Sequence, residues 1–345
     1  MLMRMFSEIK DQNKVKTILS NLISTDHFPH ALLFYGPKGV GKFLTAKAIV
    51  KYFNCRNSDP KQKGNDHCSI CSRIDEEIYP DLTIVRTEKT IKKSGEEKEA
   101  KEIRKDQIKE VMKIMKYKPF EGEYKFFIID GAENMNNISE NAFLKTLEEP
   151  LPNNHIILIS HNINKMLPTV LSRCITIKFN RLKENTVLEL LRKKYELSSE
   201  ETERISFMAN GSLNGIEFLT ENKMADEIIS VLDAIIECIA AKNIDMEALF
   251  MISQKIHSLQ LNYLDHLFDL LLLYLHSSYL TTVHDAGNSR FFKYYLNFKT
   301  KNIKLNSYNI IISEVIKTKF YLVNTNVDVK LLVENLILLI RKNIL

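Results

Sequence analysis

The chain has 345 residues, of which 45% are hydrophobic and 26% charged, with a formal net charge of +5. That length exceeds one small core and predicts two or three domains of ordinary globular material. The mild positive excess permits nucleic-acid contact without demanding it. The longest unbroken apolar stretch runs from about 270 to 275. A membrane helix needs roughly 18 or more such residues, so no span and no membrane partner are expected. Five cysteines, an odd number, and a start without an apolar leader read as a reduced, cytoplasmic chain.

In chain order, short β-branched or aromatic runs occur at 31–35, 82–85, 126–129, 156–159 and 175–179. The first four are apolar nearly throughout, as strands buried on both faces are. The fifth alternates through Thr176 and Lys178, which suits a strand with one wetter face. Helical patterns lie between the runs, for instance at 44–53 and 139–147. Strand and helix alternating predicts a parallel sheet covered on both faces. Two inserts break the alternation. Residues 54–66 are polar with cysteines around them. Residues 87–105 are crowded with Lys and Glu, and read as a solvated loop or exposed helix. There Lys92 and Lys93 are balanced by Glu96, Glu97 and Glu99, so no basic patch is expected.

No proline follows Pro168, and Gly287 is the only glycine after Gly215. Chain without these breakers runs as long helices. Ile228, Leu232, Ile235 and Ile239 step by three and four, as do Leu332, Leu336 and Leu339, so the back half is read as all helical.

The run Gly36-Pro37-Lys38-Gly39-Val40-Gly41-Lys42-Phe43 follows the first strand and opens a helix. This is the phosphate-loop pattern. Gly36, Gly39 and Gly41 let backbone N–H groups wrap phosphates, and Lys42 reaches the terminal ones. The last position, normally a Ser or Thr whose hydroxyl holds magnesium, is Phe43. Thr45 does not replace it, because two residues along a helix turn the side chain by about 200°. Such a site keeps its phosphate contacts while the metal loses a protein ligand, which leaves ATP and magnesium binding open.

The strand at 126–129 ends in Asp130, the acid that helps hold magnesium in a P-loop site. Gly131 follows, where the catalytic-glutamate branch of these ATPases carries the residue that polarises water. Glu133 is read as a helix-start or surface acid. Cys55, twelve residues, Cys68, two residues and Cys71 suggest structural zinc, which wants four ligands. His67 is a candidate fourth, although neighbouring residues such as His67 and Cys68 rarely converge on one metal. Zinc and a metal-free remnant both stay open.

The segment Asn141-Ala142-Phe143-Leu144-Lys145-Thr146-Leu147-Glu148-Glu149-Pro150, followed by Ser172-Arg173-Cys174, resembles the bacterial clamp-loader ATPases of DNA polymerase III. His30-Ala31-Leu32-Leu33-Phe34 and Tyr79-Pro80-Asp81-Leu82 are similar to the same family. The likeness covers roughly 5–220. It implies a P-loop AAA+ domain over 1–180, a helical lid over 181–221 and a helical collar over 222–345, with the cysteine insert near 54–72. It also implies four insert cysteines, where this chain has Asn65 in place of one. Asn214 stands about where the lid arginine belongs. With Phe43, Gly131 and Asn214 together, the chain looks like the delta-prime branch. That branch implies a stator with little ATPase activity of its own, inside a DNA polymerase III holoenzyme. Its partners are then gamma/tau and delta subunits, the sliding clamp and primed DNA. In this family the arginine of the Ser-Arg-Cys motif, here Arg173, reaches the ATP of a neighbouring subunit. Cys174 reads as a small buried residue.

Overall fold

The computed structural model describes residues 5–25, 28–57, 63–64, 68–87, 89–91, 97–99, 102–221, 225–240, 246–257, 261–284, 305–324 and 327–344. The first unit comprises residues up to Leu190 together with Asn210–Asn214. Its elements are α1 (Asn13–Ile23), β1 (Ala31–Tyr35), α2 (Lys42–Asn54), α3 (Ser69–Asp75), β2 (Leu82–Val85), β3 (Lys89–Ile91), β4 (Glu97–Glu99) and α4 (Lys105–Ile114). There follow β5 (Lys125–Asp130), α5 (Asn137–Glu148), β6 (Asn154–Ser160), α6 (Pro168–Leu171) and β7 (Ile175–Lys178).

Five strands form one sheet in the order β2-β5-β6-β1-β7, every neighbouring pair parallel. Successive residues of a strand point to opposite faces. Accordingly Leu32, Phe34, Phe126, Ile128, Ile157 and Ile159 join the core formed with α1 and α2, through Leu19, Ile49 and Val50. Ala31, Leu33, Phe127, Ile129, Ile156 and Leu158 join a second core with Ile108 and Val111 of α4 and Phe143 of α5. Both faces are covered, which is why the middles of β1, β5 and β6 are apolar. The edge strand β7 leaves Thr176 and Lys178 exposed and buries Ile177, as its alternation predicts, whereas Ile175 on the same face as Ile177 is also exposed.

The charged insert differs from its expected form. It contains an antiparallel hairpin, β3 paired with β4 from Lys89–Glu99 to Ile91–Glu97, rather than a plain loop or helix. Residues 92–96, with Lys92 and Lys93, lie outside the described residues. After the hairpin, Ile103 bridges to Met135 and is fully buried, so the insert returns to the core before α4.

The second unit comprises Leu191–Ala209 and the chain from Gly215. It is helical throughout its described residues. α7 (Glu184–Lys194) enters it, and α8 (Ser199–Met208), α9 (Leu213–Glu221), α10 (Ala225–Ala240), α11 (Met246–His257), α12 (Leu261–His284), α13 (Leu305–Asn324) and α14 (Val329–Ile344) follow. Ile228, Leu232 and Ile235 are buried on one stripe of α10, as their spacing predicts. On α14 the inward stripe is Val333, Leu336, Ile337 and Ile340, whereas Leu339, placed inward by the sequence pattern, is 41% exposed. An offset of one residue turns a helix by 100°, enough to move Leu339 off the buried stripe. Buried Arg341 donates to the Cys238 carbonyl at 2.6 Å, joining α14 to α10. Among the described residues no helix is long and apolar enough to cross a membrane.

Candidate functional site

The phosphate loop leaves β1 and ends at Gly41, where α2 begins. Two carbonyl oxygens of the loop are met from residue 212 onward: Ser212 Oγ donates to the Lys38 carbonyl at 2.9 Å, and Leu213 N–H donates to the Gly39 carbonyl at 3.0 Å. The Gly36 carbonyl accepts from Lys42 Nζ at 2.7 Å, and the same ammonium also donates to the Pro37 carbonyl. Gly39 has φ +66°, and a Cβ there would stand 2.4 Å from the Asn214 backbone nitrogen. Only glycine admits that approach. Asn214 therefore lies at the loop, where the lid arginine was expected to be missing.

Lys42 is buried, and burial lowers its ammonium to about pH 8, against the opposing pull of Glu133 and then Asp130. Thr45 Oγ1 donates to the Gly41 carbonyl at 2.7 Å, so its hydroxyl is spent on its own helix. Asp130 ends β5 and its carboxyl is pushed up by burial, with Arg86 and Lys42 opposing. Gly131 has φ +81°, a backbone state in which a glutamate side chain is disfavoured. Glu133 opens a single turn at Ala132–Asn134, as a helix-start acid does, but it is no surface group. Its carboxylate accepts from the His161 backbone N–H at 3.1 Å and exerts the strongest charge effect on Lys42, while Oε2 is buried without a hydrogen-bond partner. His161, just past β6, is held near pH 3 by burial, then by Lys42 and Lys38, so its ring is neutral.

Arg86 was not singled out by any motif. Just past β2, it lies over the Phe43 ring, its guanidinium carbon 4.5 Å from the centroid. It pairs with both oxygens of Glu77 at 2.8 and 3.0 Å, and its Nε stands 3.7 Å from Asp130. Glu77 occupies the left-handed region at φ +62° and also faces Lys47 at 3.7 Å. Magnesium, which a P-loop fold implies, does not fit this donor set. The position for its hydroxyl ligand is an aromatic ring, and its carboxylate ligand already faces a guanidinium.

Arg173 lies at a separate corner, between α6 and β7. Its Nε donates to Glu148 Oε1 at 2.9 Å, and Nη2 donates to the same oxygen. Its Nη1 reaches the Thr169 carbonyl at 2.8 Å, an ordinary contact at a helix end. The side chain is 31% exposed. Burial pushes the neighbouring Cys174 thiol up to about 12, which keeps it an unreactive thiol.

In the insert the thiols of Cys55, Cys68 and Cys71 lie within 4.8 Å of one another, with Cys55 and Cys68 sulfurs 3.9 Å apart. A tetrahedral zinc with bonds of about 2.3 Å separates its sulfurs by about 3.8 Å, so the three thiols are spaced to hold one. His67 lies outside the described residues. The insert is fastened to the sheet nearby. Arg73 forms a bidentate pair with Glu121 at 2.8 and 2.6 Å, and buried Asp81 accepts the N–H groups of Phe120, Glu121 and Gly122 at 2.6, 2.7 and 2.8 Å.

A phosphate loop after β1, an acid ending β5 and a five-stranded parallel sheet followed by helices define an AAA+ domain of the P-loop class. Residues 11–183 match the family described as "DNA polymerase III, delta subunit", and the chain belongs to this clamp-loader family. Curated relatives of both kinds are found. The chain is 28% identical over 227 residues to the gamma subunit of DNA polymerase III of Buchnera aphidicola subsp. Acyrthosiphon pisum, covering 63% of this chain and 58% of that one. It is also 28% identical over 221 residues to the delta' subunit of Bacillus subtilis, covering 64% and 63%. The chain thus spans about 60% of the length of these relatives. Among solved structures, a gamma subunit-related protein of Thermotoga maritima aligns over 96% of this chain and 99% of its own at 15% identity and a TM-score of 0.42.

Proposed function

We propose that this chain is the stator, the delta-prime type of subunit, of a bacterial DNA polymerase III clamp loader. The carrying observation is that the phosphate loop is followed by Phe43 and met by the Asn214 backbone, while its acid, Asp130, precedes Gly131 and already faces Arg86. The chain alone turns over little or no ATP. It assembles in the cytoplasm with gamma/tau and delta subunits and supports loading of the sliding clamp on primed DNA. Arg173 acts at the neighbour's ATP as a trans arginine finger, stabilising charge on the transferring phosphoryl group. The test is DNA-stimulated ATPase of the chain mixed with gamma/tau and delta subunits, wild type against Arg173→Ala. Unchanged turnover in the assembled complex rejects the reading.

Three domains fit this role: the AAA+ domain to about 180, a lid to about 221 and a collar beyond. The collar makes the ring contacts, which suits the exposed apolar side chains Ile310, Ile316, Phe320, Leu331 and Leu338 on α13 and α14. The insert cysteines hold one zinc, and metal analysis of the purified chain before and after chelation checks this. A second reading, an active gamma/tau-type motor, draws support from Glu133, whose carboxylate faces Lys42. Steady ATP hydrolysis by the pure chain, abolished by Lys42→Ala, would establish that reading instead.

A further inference from the structure

We propose that the guanidinium of Arg86 stands in for the divalent cation at the phosphate loop, so that this site takes a nucleoside polyphosphate without metal. In a P-loop site the metal sits between the side chain after the loop lysine and the acid ending the neighbouring strand. Here those two residues are Phe43 and Asp130, and Arg86 contacts both, at 4.5 Å from the ring centroid and 3.7 Å from the carboxylate. A guanidinium carries a permanent charge in a flat fork suited to phosphate oxygens, and its plane packs on an aromatic face more closely than the Lys47 ammonium, which lies 5.3 Å from the same ring centroid. Replacing the hydroxyl by a phenyl ring therefore removes a metal ligand and supplies a platform for an arginine in the same substitution.

The platform is braced from behind. Glu77 holds both terminal nitrogens of Arg86 from a left-handed backbone position. That pair uses two of the five N–H donors, leaving others for an incoming oxygen. Lys42 supplies the second cation, and the loop carbonyls it now contacts are partners that a phosphate would replace. The ligand class is a nucleoside diphosphate or triphosphate, recognised through its phosphates.

The inference concerns binding by the chain itself, whereas the stator reading rests on turnover in the complex, so neither result decides the other. The experiment is calorimetric titration of the full-length chain with ADP, once in excess EDTA and once in excess magnesium. The two affinities are expected to agree within about threefold, and Arg86→Ala to weaken metal-free binding about tenfold or more. Lys42→Ala should abolish binding in both buffers, which places it at this loop. Arg86 is 44% exposed, so its removal should leave the circular dichroism and melting temperature near those of wild type. A variant that unfolds is replaced by Arg86→Gln. Three results overturn the inference: magnesium tightening wild-type binding by about tenfold or more, a folded Arg86→Ala or Arg86→Gln chain binding ADP in EDTA as wild type does, or no ADP binding by wild type in either buffer.

Discussion

The phosphate loop and the Arg173 corner make opposite uses of the same kind of group. At the loop, the backbone of a nucleotide site is kept in full, yet its cations are turned inward: Lys42 onto its own carbonyls, Arg86 onto Phe43, Glu77 and Asp130. At the corner there is no elaborate backbone, only a short helix and one arginine, held by a single carboxylate and part-exposed. Backbone geometry and chemical competence are therefore separable. The first is set by glycines and strand order, the second by which side chains the local cations meet.

The sharpest way to break this contrast is Arg173→Ala. On the stator reading, ATP turnover by the assembled complex should fall about a thousandfold, with ADP binding by the isolated chain unchanged. A loss of ADP binding instead would join the two regions into one site. Next comes a pH series at the loop. Lys42 is lowered to about 8 by burial, so above that pH the free chain has lost the charge that a phosphate needs. Protonation must then accompany binding, and affinity should drop about tenfold per pH unit above 8. A flat profile from pH 7 to 9.5 would show that Lys42 does not pair with the ligand.

Much of this contrast was legible in the sequence, and the illegible parts have specific causes. β1, β2, β5 and β6 could be read because their side chains meet apolar neighbours on both faces of the sheet, which leaves apolar runs. Their ends could not. Lys125 and Asn154 are polar, yet both are buried, with Lys125 Nζ donating to the carbonyls of Ile114 and Tyr117 and Asn154 Nδ2 to that of Pro152. Periodicity carries no trace of a polar side chain satisfied by the carbonyls of the chain that leads into its strand. The pairing of β3 with β4 was hidden because Lys89-Thr90-Ile91 and Glu97-Lys98-Glu99 are mostly charged or polar and resemble a solvated segment. The loss of the metal hydroxyl at Phe43 was visible as a broken motif. Its partner Arg86 was not, since only the parallel pairing of β2 with β5 brings the chain after Val85 beside Asp130. Cysteine spacing announced the three-thiol cluster; that Glu133 is drawn in to the His161 N–H, where its charge acts on Lys42, needed the fold.

Two smaller tests sharpen the corner. Glu148→Gln removes the charge that holds Arg173 and, on the stator reading, should change turnover of the complex only several-fold, because it alters the positioning of Arg173 and leaves the guanidinium in place. Glu140, at the other end of α5, is pushed up to about 6 by burial, opposed by the Leu167 N–H. A carboxyl raised on folding binds its proton more tightly in the folded chain, so stability is lost as pH rises from about 4.5 to 6. Glu140→Gln should therefore stabilise the first unit by about 1 kcal/mol at pH 7, with the gain vanishing below pH 4.5, as denaturant melts at the two pH values would record.

The hydrogen bond from Ser212 to the Lys38 carbonyl spans 174 residues of sequence. On a ribosome the chain emerges from its N-terminus, at about 5–20 residues per second. The strands β1 to β7 are complete well before Ser212 and Leu213 appear. The phosphate loop therefore spends an interval on the order of ten seconds with the carbonyls of Lys38 and Gly39 open to water. Closure of the loop is a late event in the life of the nascent chain, timed by synthesis rather than by any step of the sheet's own assembly.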